Sequence, residues 1–294
     1  MSKVSVIIPT YNCAKFLPDA LDSVLKQTFQ DFEIIVVDDG STDNTRGLIK
    51  SYMDKHPGKI NYVYQENMGL ACARNTAIRH SKGEYIAILD ADDMFMPNRL
   101  EEEIQAFERN PGIGVVHANI SWLSEEGGVL STPKRNKKVL SGNIFNAIFL
   151  RDAHVSISTI LVKKECFDKA GLFDENLTRL GCEDRDMWLR ISQHYPFLYI
   201  DNVLGLYRLR QGSMSKDQAK MLKARYYVIN KFCPAGSLSL LRRKALSRIH
   251  KDQGDGFLVL GNRHSAKQEF LKSLKFWPFA VMSWLNLFKA ASGK

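Results

Sequence analysis

The densest chemistry in the chain is Asp90-Ala91-Asp92-Asp93, three carboxylates within four residues. So close together they repel one another, and a bound cation relieves that repulsion. Carboxylate oxygens suit hard divalent ions such as Mn2+ or Mg2+, which commonly bind together with substrate phosphates. The same residues can instead form an acidic turn ahead of a helix starting near Pro97. A second cluster is Asp38-Asp39-Gly40-Ser41-Thr42-Asp43-Asn44-Thr45. Here Thr42 and Asp43 can cap a helix within a tight turn, while Asp38 and Asp39 face a rim where a carboxylate can accept a hydrogen bond from a base N–H. A third is Gly181-Cys182-Glu183-Asp184-Arg185-Asp186. A carboxylate there can take a proton from an acceptor hydroxyl, or the acids can do no more than favour a helix N-terminus. Arg74, in Asn67–Asn75, reads by itself as a surface helix residue, or as a contact to phosphate or base. Tyr207-Arg208-Leu209-Arg210, continuing to Ser215, is a basic segment that either closes over phosphates or serves as a linker. Neither the phosphate-loop pattern nor a glycine fingerprint after the first strand is present. His117, His154 and His194 have no Ser or Asp partners at informative spacing and read as structural or surface residues.

These residues need elements to position them. Val4–Pro9 is a short β-branched run. Lys15–Gln27 follows with Leu17, Leu21, Val24 and Leu25 at helical spacing. The alternation continues: strand Glu33–Val37, helix Asp43–Met53, strand Ile60–Tyr64, helix Leu70–Arg79, strand Tyr85–Leu89. That order predicts a parallel sheet covered by helices. Ligands of such sheets bind at the carboxyl ends of the strands, where Tyr11-Asn12, Asp38-Asp39 and Asp90–Asp92 all fall. Further on, Glu125–Gly128 reads as a turn between strands and Pro133–Lys138 as an exposed basic loop. Met187, Trp188 and Ile191 predict a helix that starts near the third acidic cluster.

The chain of 294 residues is 45% hydrophobic, enough to build a full core. Its net charge of +9 is uneven: residues 216–294 hold 16 Lys and Arg against 4 Asp and Glu, a net of +12. A nearly neutral body with a basic helical tail follows, rather than a nucleic-acid binder. Five cysteines, 13, 72, 166, 182 and 233, show no metal or redox spacing and point to a reducing, cytoplasmic compartment. There the Asn-x-Ser/Thr matches at Asn119 and Asn176 carry no weight. No stretch reaches the roughly 18 apolar residues of a membrane span.

Taken in order, Val4–Asn12, Val36–Asp43, Leu89–Asp93, Glu183-Asp184 and Tyr207-Arg208 with Ser213 and Ser215 resemble family-2 inverting glycosyltransferases of the GT-A fold. The resemblance covers Lys3 to about Ser215. It implies an α/β architecture with a mostly parallel central sheet flanked by helices and a C-terminal helical extension. The catalytic domain would be 1–215, with a nucleotide-binding half 1–105 and an acceptor half 106–215, followed by the extension 216–294. It implies metal-dependent, hexosyltransferase-like chemistry with inversion, from a nucleotide sugar, usually a UDP-sugar, to a saccharide or lipid-linked acceptor in surface polysaccharide or glycan assembly. Carried over residue by residue, Pro9, Thr10, Tyr11 and Asp39 line the nucleobase, Arg74 contacts the nucleotide, and Asp90 with Ala91 meets the ribose. Asp92 ligates Mn2+ or Mg2+, Asp184 is the base and Glu183 supports it. Arg210 stands where many relatives carry a His that reaches the metal or pyrophosphate; a guanidinium pairs with phosphate instead.

Two other classes fit these residues less well. A nucleotidyltransferase normally has a glycine-rich, Arg-containing loop after the first strand, and Pro9-Thr10-Tyr11-Asn12 has no glycine. A non-catalytic nucleotide-sugar-binding or scaffold homologue should have lost a carboxylate, and all three clusters are intact. The tail ends in Phe276–Lys289, where Pro278 can begin a helix with Val281, Trp284, Leu285 and Phe288 on one face. That face suits peripheral contact with a membrane surface, or equally the catalytic domain or a second copy in a homo-oligomer.

Overall fold

The computed structural model describes residues 2–133, 140–210, 217–233 and 239–292. Most of the expected basic loop at 133–138, and Gln211–Ser215 with Ser213 and Ser215, lie outside them. The chain divides into two compact units, one of residues 1–148 and 152–217, the other of 149–151 and 218–294.

In chain order the first unit contains β1 (Val4–Thr10), α1 (Leu17–Leu25), β2 (Phe32–Asp39), α2 (Thr45–Lys55), β3 (Ile60–Gln65), α3 (Leu70–His80) and β4 (Tyr85–Ile88). There follow β5 (Met94–Phe95), α4 (Arg99–Arg109), β6 (Val115–Leu123), α5 (Phe145–Phe149, whose last residue is assigned to the other unit), β7 (Ile160–Lys163), α6 (Glu165–Ala170), α7 (Glu183–Ser192) and β8 (Phe197–Arg208). The strands form one sheet in the order β3-β2-β1-β4-β7-β6-β8-β5. β1 to β4 are parallel, as the alternating pattern predicted. β7 then runs antiparallel to both β4 and β6, while β6 and β8 are parallel. Every residue of β1 and β2 is buried, which is why both are mostly apolar rather than alternating, with Ser5 and Glu33 as the polar exceptions before the strand ends. Leu17, Ala20, Leu21 and Val24 of α1 pack into that core. The turn expected at 125–128 is present: Ser124 donates to Gly128 O at 2.8 Å, Gly127 has φ +95°, and Leu123 bridges Val129 antiparallel.

The second unit is helical: α8 (Gln218–Phe232), α9 (Leu240–Val259), α10 (Arg263–Phe276) and α11 (Val281–Ser292). Ser239 and Asn262 cap α9 and α10 by accepting from Arg242 N and Ser265 N. Gly254 lets α9 approach α10 closely, since a Cβ there would lie 2.5 Å from the Phe270 ring. The buried hydroxyls of Ser247, Ser273 and Ser283 form a chain with both links at 2.8 Å, tying α9, α10 and α11 together. The last helix starts at Val281, not at Pro278. Residues 277–280 close a turn through Ala280 N to Trp277 O, and the Pro278 carbonyl accepts from the Trp284 indole. Among the described residues, no helix is long and apolar enough to cross a membrane.

Candidate active site

Strand order reverses at β1, whose neighbours are β2 on one side and β4 on the other. In open α/β sheets that is where ligands bind, beyond the carboxyl ends of the strands. Pro9 fits this position because β1 pairs with β4 only as far as Ile7, which accepts from Leu89 N. Pro9 faces the same side two residues later, where the ladder has ended and its missing N–H costs no bond. Thr10 is buried with no partner for its hydroxyl, while Tyr11 beyond it is 51% exposed. Asn12 turns the chain at φ +47°, a conformation Asn tolerates better than most residues. Its Oδ1 accepts from Thr42 N at 2.7 Å and from the Thr42 hydroxyl, and its own N–H donates to Ser41 Oγ. The β1 and β2 loops are therefore one unit.

The second acidic cluster departs from expectation in two ways. Neither Thr42 nor Asp43 is the N-cap of α2: that position is Asn44, which makes no side-chain cap bond, the Thr42 hydroxyl is turned to Asn12, and Asp43, one residue before the cap, accepts from Thr45 N at 3.0 Å. Burial would raise the Asp43 pKa, but hydrogen bonds from Thr45 and Ala14 outweigh it and hold the carboxyl below its usual value. Nor do Asp38 and Asp39 both face an open rim. Asp38 is enclosed by Ser41 N at 2.9 Å and the Tyr62 hydroxyl at 2.9 Å. Asp39 accepts from Gln65 Nε2 at 2.7 Å, Met68 N at 2.9 Å and Gly69 N at 2.8 Å. It thus shapes the loop that leads into α3, where Gly69 sits at φ +91°.

The third carboxylate of the Asp90–Asp93 run turns away from the other two. Asp93 is buried, accepting from the Ser158 hydroxyl and from Arg208 N at 2.9 Å. Burial and the neighbouring Asp92 and Asp90 push its pKa well above the carboxylate range. Asp92 pairs with Arg210, and burial and Asp90 raise its pKa against the pull of that guanidinium. Arg208, whose role in this loop the sequence did not announce, is almost wholly buried. It donates to Asp92 O at 2.9 Å, Glu125 O at 2.9 Å and Asp19 Oδ2 at 2.7 Å, and lies over the Phe16 ring. The end of β8 is thereby pinned beneath the carboxylate loop.

Arg74 is not a surface residue: it is 1% exposed. One Nη donates to Asp90 Oδ1 at 2.7 Å and the other to Glu183 Oε1 at 2.7 Å, while Phe173 lies against the guanidinium. Burial works against its charge, but Asp90 and Glu183 raise its pKa overall. A single side chain thus joins α3, the loop after β4 and the first turn of α7. Gly181 and Cys182, at φ +90° and +64°, bend the chain sharply into that turn. Asp184 is next in line, with Oδ1 accepting from Arg185 N at 2.6 Å. Burial raises the pKa of both Glu183 and Asp184, and Arg74 opposes the rise in each.

The sequence-derived residues therefore fall into two groups. Arg74, Asp90 and Glu183 form one ionic network, Asp184 follows Glu183 in α7, and Asp92, two residues after Asp90, pairs separately with Arg210, with Ala91 buried between the two aspartates. Pro9, Thr10, Tyr11 and Asp39 lie on the neighbouring β1 and β2 ends. Arg208, Asp93 and Asn12 are additional organising residues. Each lies in a motif visible in the sequence, Asp93 in the acidic run, Arg208 after Tyr207 and Asn12 just past the first strand, but the partners that give them this role lie far along the chain. Among the described residues no three His, Cys, Asp or Glu side chains converge on one point. Asp92 nonetheless offers hard carboxylate oxygens on the loop after β4, which fits a divalent cation whose remaining ligands are phosphate oxygens and water.

The profile described as glycosyl transferase family 2 matches residues 5–169, and the chain belongs to that family. An uncharacterized glycosyltransferase of Methanocaldococcus jannaschii is 32% identical over 277 residues, covering 93% of this chain and 83% of the relative. One from Rickettsia bellii is 38% identical over 209 residues, covering 71% of this chain but 29% of its own length. The chain spans 29–60% of the length of the Rickettsia relatives it matches. Among solved structures, S. aureus TarS 1–349 in complex with UDP-GlcNAc aligns with a TM-score of 0.66 at 20% identity, over 93% of this chain and 81% of TarS. The mannosyltransferase PcManGT of Pyrobaculum calidifontis, in complex with GDP-Man and Mn2+, gives 0.64 at 19% identity, over 99% and 86%. At such identities the likeness establishes the fold, which is GT-A.

Proposed function

We propose that this protein transfers a sugar from a nucleoside-diphosphate sugar, a UDP-sugar by preference, to a hydroxyl of a saccharide or lipid-linked saccharide, inverting the anomeric centre. The observation that carries the reading is Arg74, which links Asp90 on the donor side to Glu183 beside Asp184 on the acceptor side. Residues 1–215 form the catalytic region in this reading, with 1–105 holding the nucleotide and 106–215 the acceptor. Tyr11, Thr10 and Asp39 hold the base, Asp90 and Ala91 the ribose, and Arg210 the diphosphate. Asp184 accepts the proton of the acceptor hydroxyl as its oxygen bonds to the anomeric carbon. The bond from that carbon to the diphosphate breaks on the opposite face, and its electron pair leaves with the nucleotide. Glu183, locked to Arg74, fixes the orientation of the turn that carries Asp184. A divalent ion held by Asp92 together with the donor's phosphates, Mn2+ or Mg2+, neutralises charge on the departing group. None of the five cysteines forms a disulfide, and a reducing, cytoplasmic setting belongs to this reading.

The test is nucleoside diphosphate release from a panel of UDP- and GDP-sugars, with and without chelator, using wild type and Asp184→Asn. Release from a UDP-sugar is expected, lost on chelation and about 10²–10⁴ lower in the variant. Calorimetric UDP affinity should stay nearly unchanged. Turnover that survives Asp184→Asn, or UDP affinity that collapses with it, overturns the assignment of the base.

A further inference from the structure

The helix α11 is built inside out. Its inward positions are Ser283, Asn286, Leu287 and Ala290; Ser283 bonds to Ser273, and Asn286 donates to Asp255 at 2.7 Å. Its large apolar residues point to solvent: Val281 67% and Phe288 67% exposed, Leu285 and Met282 50%, Trp284 46%, with Phe279 just before the helix at 77%. A helix of a soluble domain normally buries that stripe and exposes the polar one, and contiguous apolar patches mark interaction surfaces.

We propose that this face docks on an anionic lipid surface, with α11 lying in the plane of the interface. Three observations select that occupant. First, residues 270–294 contain four lysines and no Asp or Glu, and Lys275 and Lys289 are exposed. A two-fold contact between copies would set this surface against itself, lysine facing lysine, whereas anionic headgroups complement it. Second, Trp284 and Phe288 share the exposed face with Val281 and Leu285, and exposed Lys289 adjoins it, the mix of aromatic, aliphatic and basic side chains that suits a helix lying at a bilayer interface. Third, 12 residues extend about 18 Å, too little for a hydrocarbon core of about 30 Å. The helix can therefore lie on a membrane but not span it. The proposal stands independently of the sugar-transfer chemistry, although a lipid-linked acceptor would share that surface.

The experiment is co-sedimentation of the full chain with vesicles of phosphatidylcholine alone and of phosphatidylcholine with phosphatidylglycerol, alongside analytical ultracentrifugation without lipid. Val281→Glu/Phe288→Glu places charge on the two most exposed large apolar residues of the helix without touching the inward face, and Lys289→Glu reverses a bordering charge. A melting profile like the wild type checks that each variant is folded. Binding is expected only with phosphatidylglycerol, weakening as salt rises. It should fall at least tenfold in the double variant and about fivefold or more in Lys289→Glu. Quenching of wild-type tryptophan fluorescence by brominated lipid gives a readout that needs no variant. Absence of binding at low salt with no quenching, or binding that survives the double variant, overturns the proposal. So does a dimer that the double variant dissociates while vesicles recruit nothing, which would make this face a contact between copies.

Discussion

At the scale of single residues, Arg74 is the counterweight of the site. It is fully enclosed and serves two carboxylates at once, so removing it strands two negative charges in a buried setting. Arg74→Met should cost about 3–5 kcal/mol of stability, measurable by denaturant unfolding. It should also move the chemistry. Asp184 accepts a proton only when ionised, and burial raises its pKa while Arg74 opposes the rise. Activity should therefore fall as pH drops through a value higher than that of an ordinary aspartate. In Arg74→Met that acid limb of kcat/KM should shift to still higher pH. The stability linkage has the opposite sense: a carboxyl whose folded pKa is raised favours folding when protonated, and that contribution is lost as pH rises through the folded value. An acid limb at the same pH in both proteins would remove Arg74 from this role. None of this was legible beforehand. The partners of Arg74 lie 16 and 109 residues away and those of Arg208 up to 189 away, and spacing along the chain carries no trace of such pairs. The acids were legible as clusters, but not which of them turn inward. Asp93 and Asp38 are held by Ser158 and Tyr62, residues whose types say nothing about their target.

At the scale of elements, what the chain announced and what it concealed divide by range. β1, β2 and β4 were readable because strands covered on both faces are short runs dominated by apolar, mostly Val and Ile, residues. The start of α7 was readable because Met187, Trp188 and Ile191 repeat at helical spacing behind acids. The insertion of an antiparallel β7 between β4 and β6 was not, since strand pairing is fixed by contacts distant in sequence. The inverted face of α11 was half readable: the apolar stripe is plain, but its direction depends on Ser247, Ser273 and Asp255 of two other helices. The loop between β3 and α3 yields a prediction. Asp39 was expected to read a base, and the structure adds three donors that it already serves. Asp39→Ala should therefore do two things. UDP affinity should fall by about 1.5–3 kcal/mol, by calorimetry. Unfolding free energy should also fall by about 1–3 kcal/mol, because the Met68 and Gly69 N–H groups lose their acceptor while partly buried. Loss of stability with UDP affinity intact would leave Asp39 as the organiser of its loop and nothing more.

At the scale of the whole molecule, each unit carries the interior a fold requires. The first has the sheet and the helices that cover it, with an apolar cluster running from Val4 to Leu161. The second has Ala266, Phe270 and Ala290 at its centre, joined to the serine chain and to His250 paired with Glu269 at 2.7 Å. A unit with its own core can unfold on its own. Differential scanning calorimetry of the full chain should therefore resolve two transitions. Under the proposed function UDP binds only the first unit, so only one transition should move with it. At a hundredfold excess over Kd the expected stabilisation is about 2.7 kcal/mol. The other transition can be identified separately. Gly254→Val drives a side chain into the Phe270 ring, where even a Cβ would come within 2.5 Å, and overpacking of that kind costs about 1–3 kcal/mol. That variant should lower the transition that UDP leaves in place and keep UDP affinity unchanged. A single transition moved as a whole by both UDP and Gly254→Val would show that the units unfold as one, and that the basic helical unit is part of the catalytic unit's stability rather than an attachment to it.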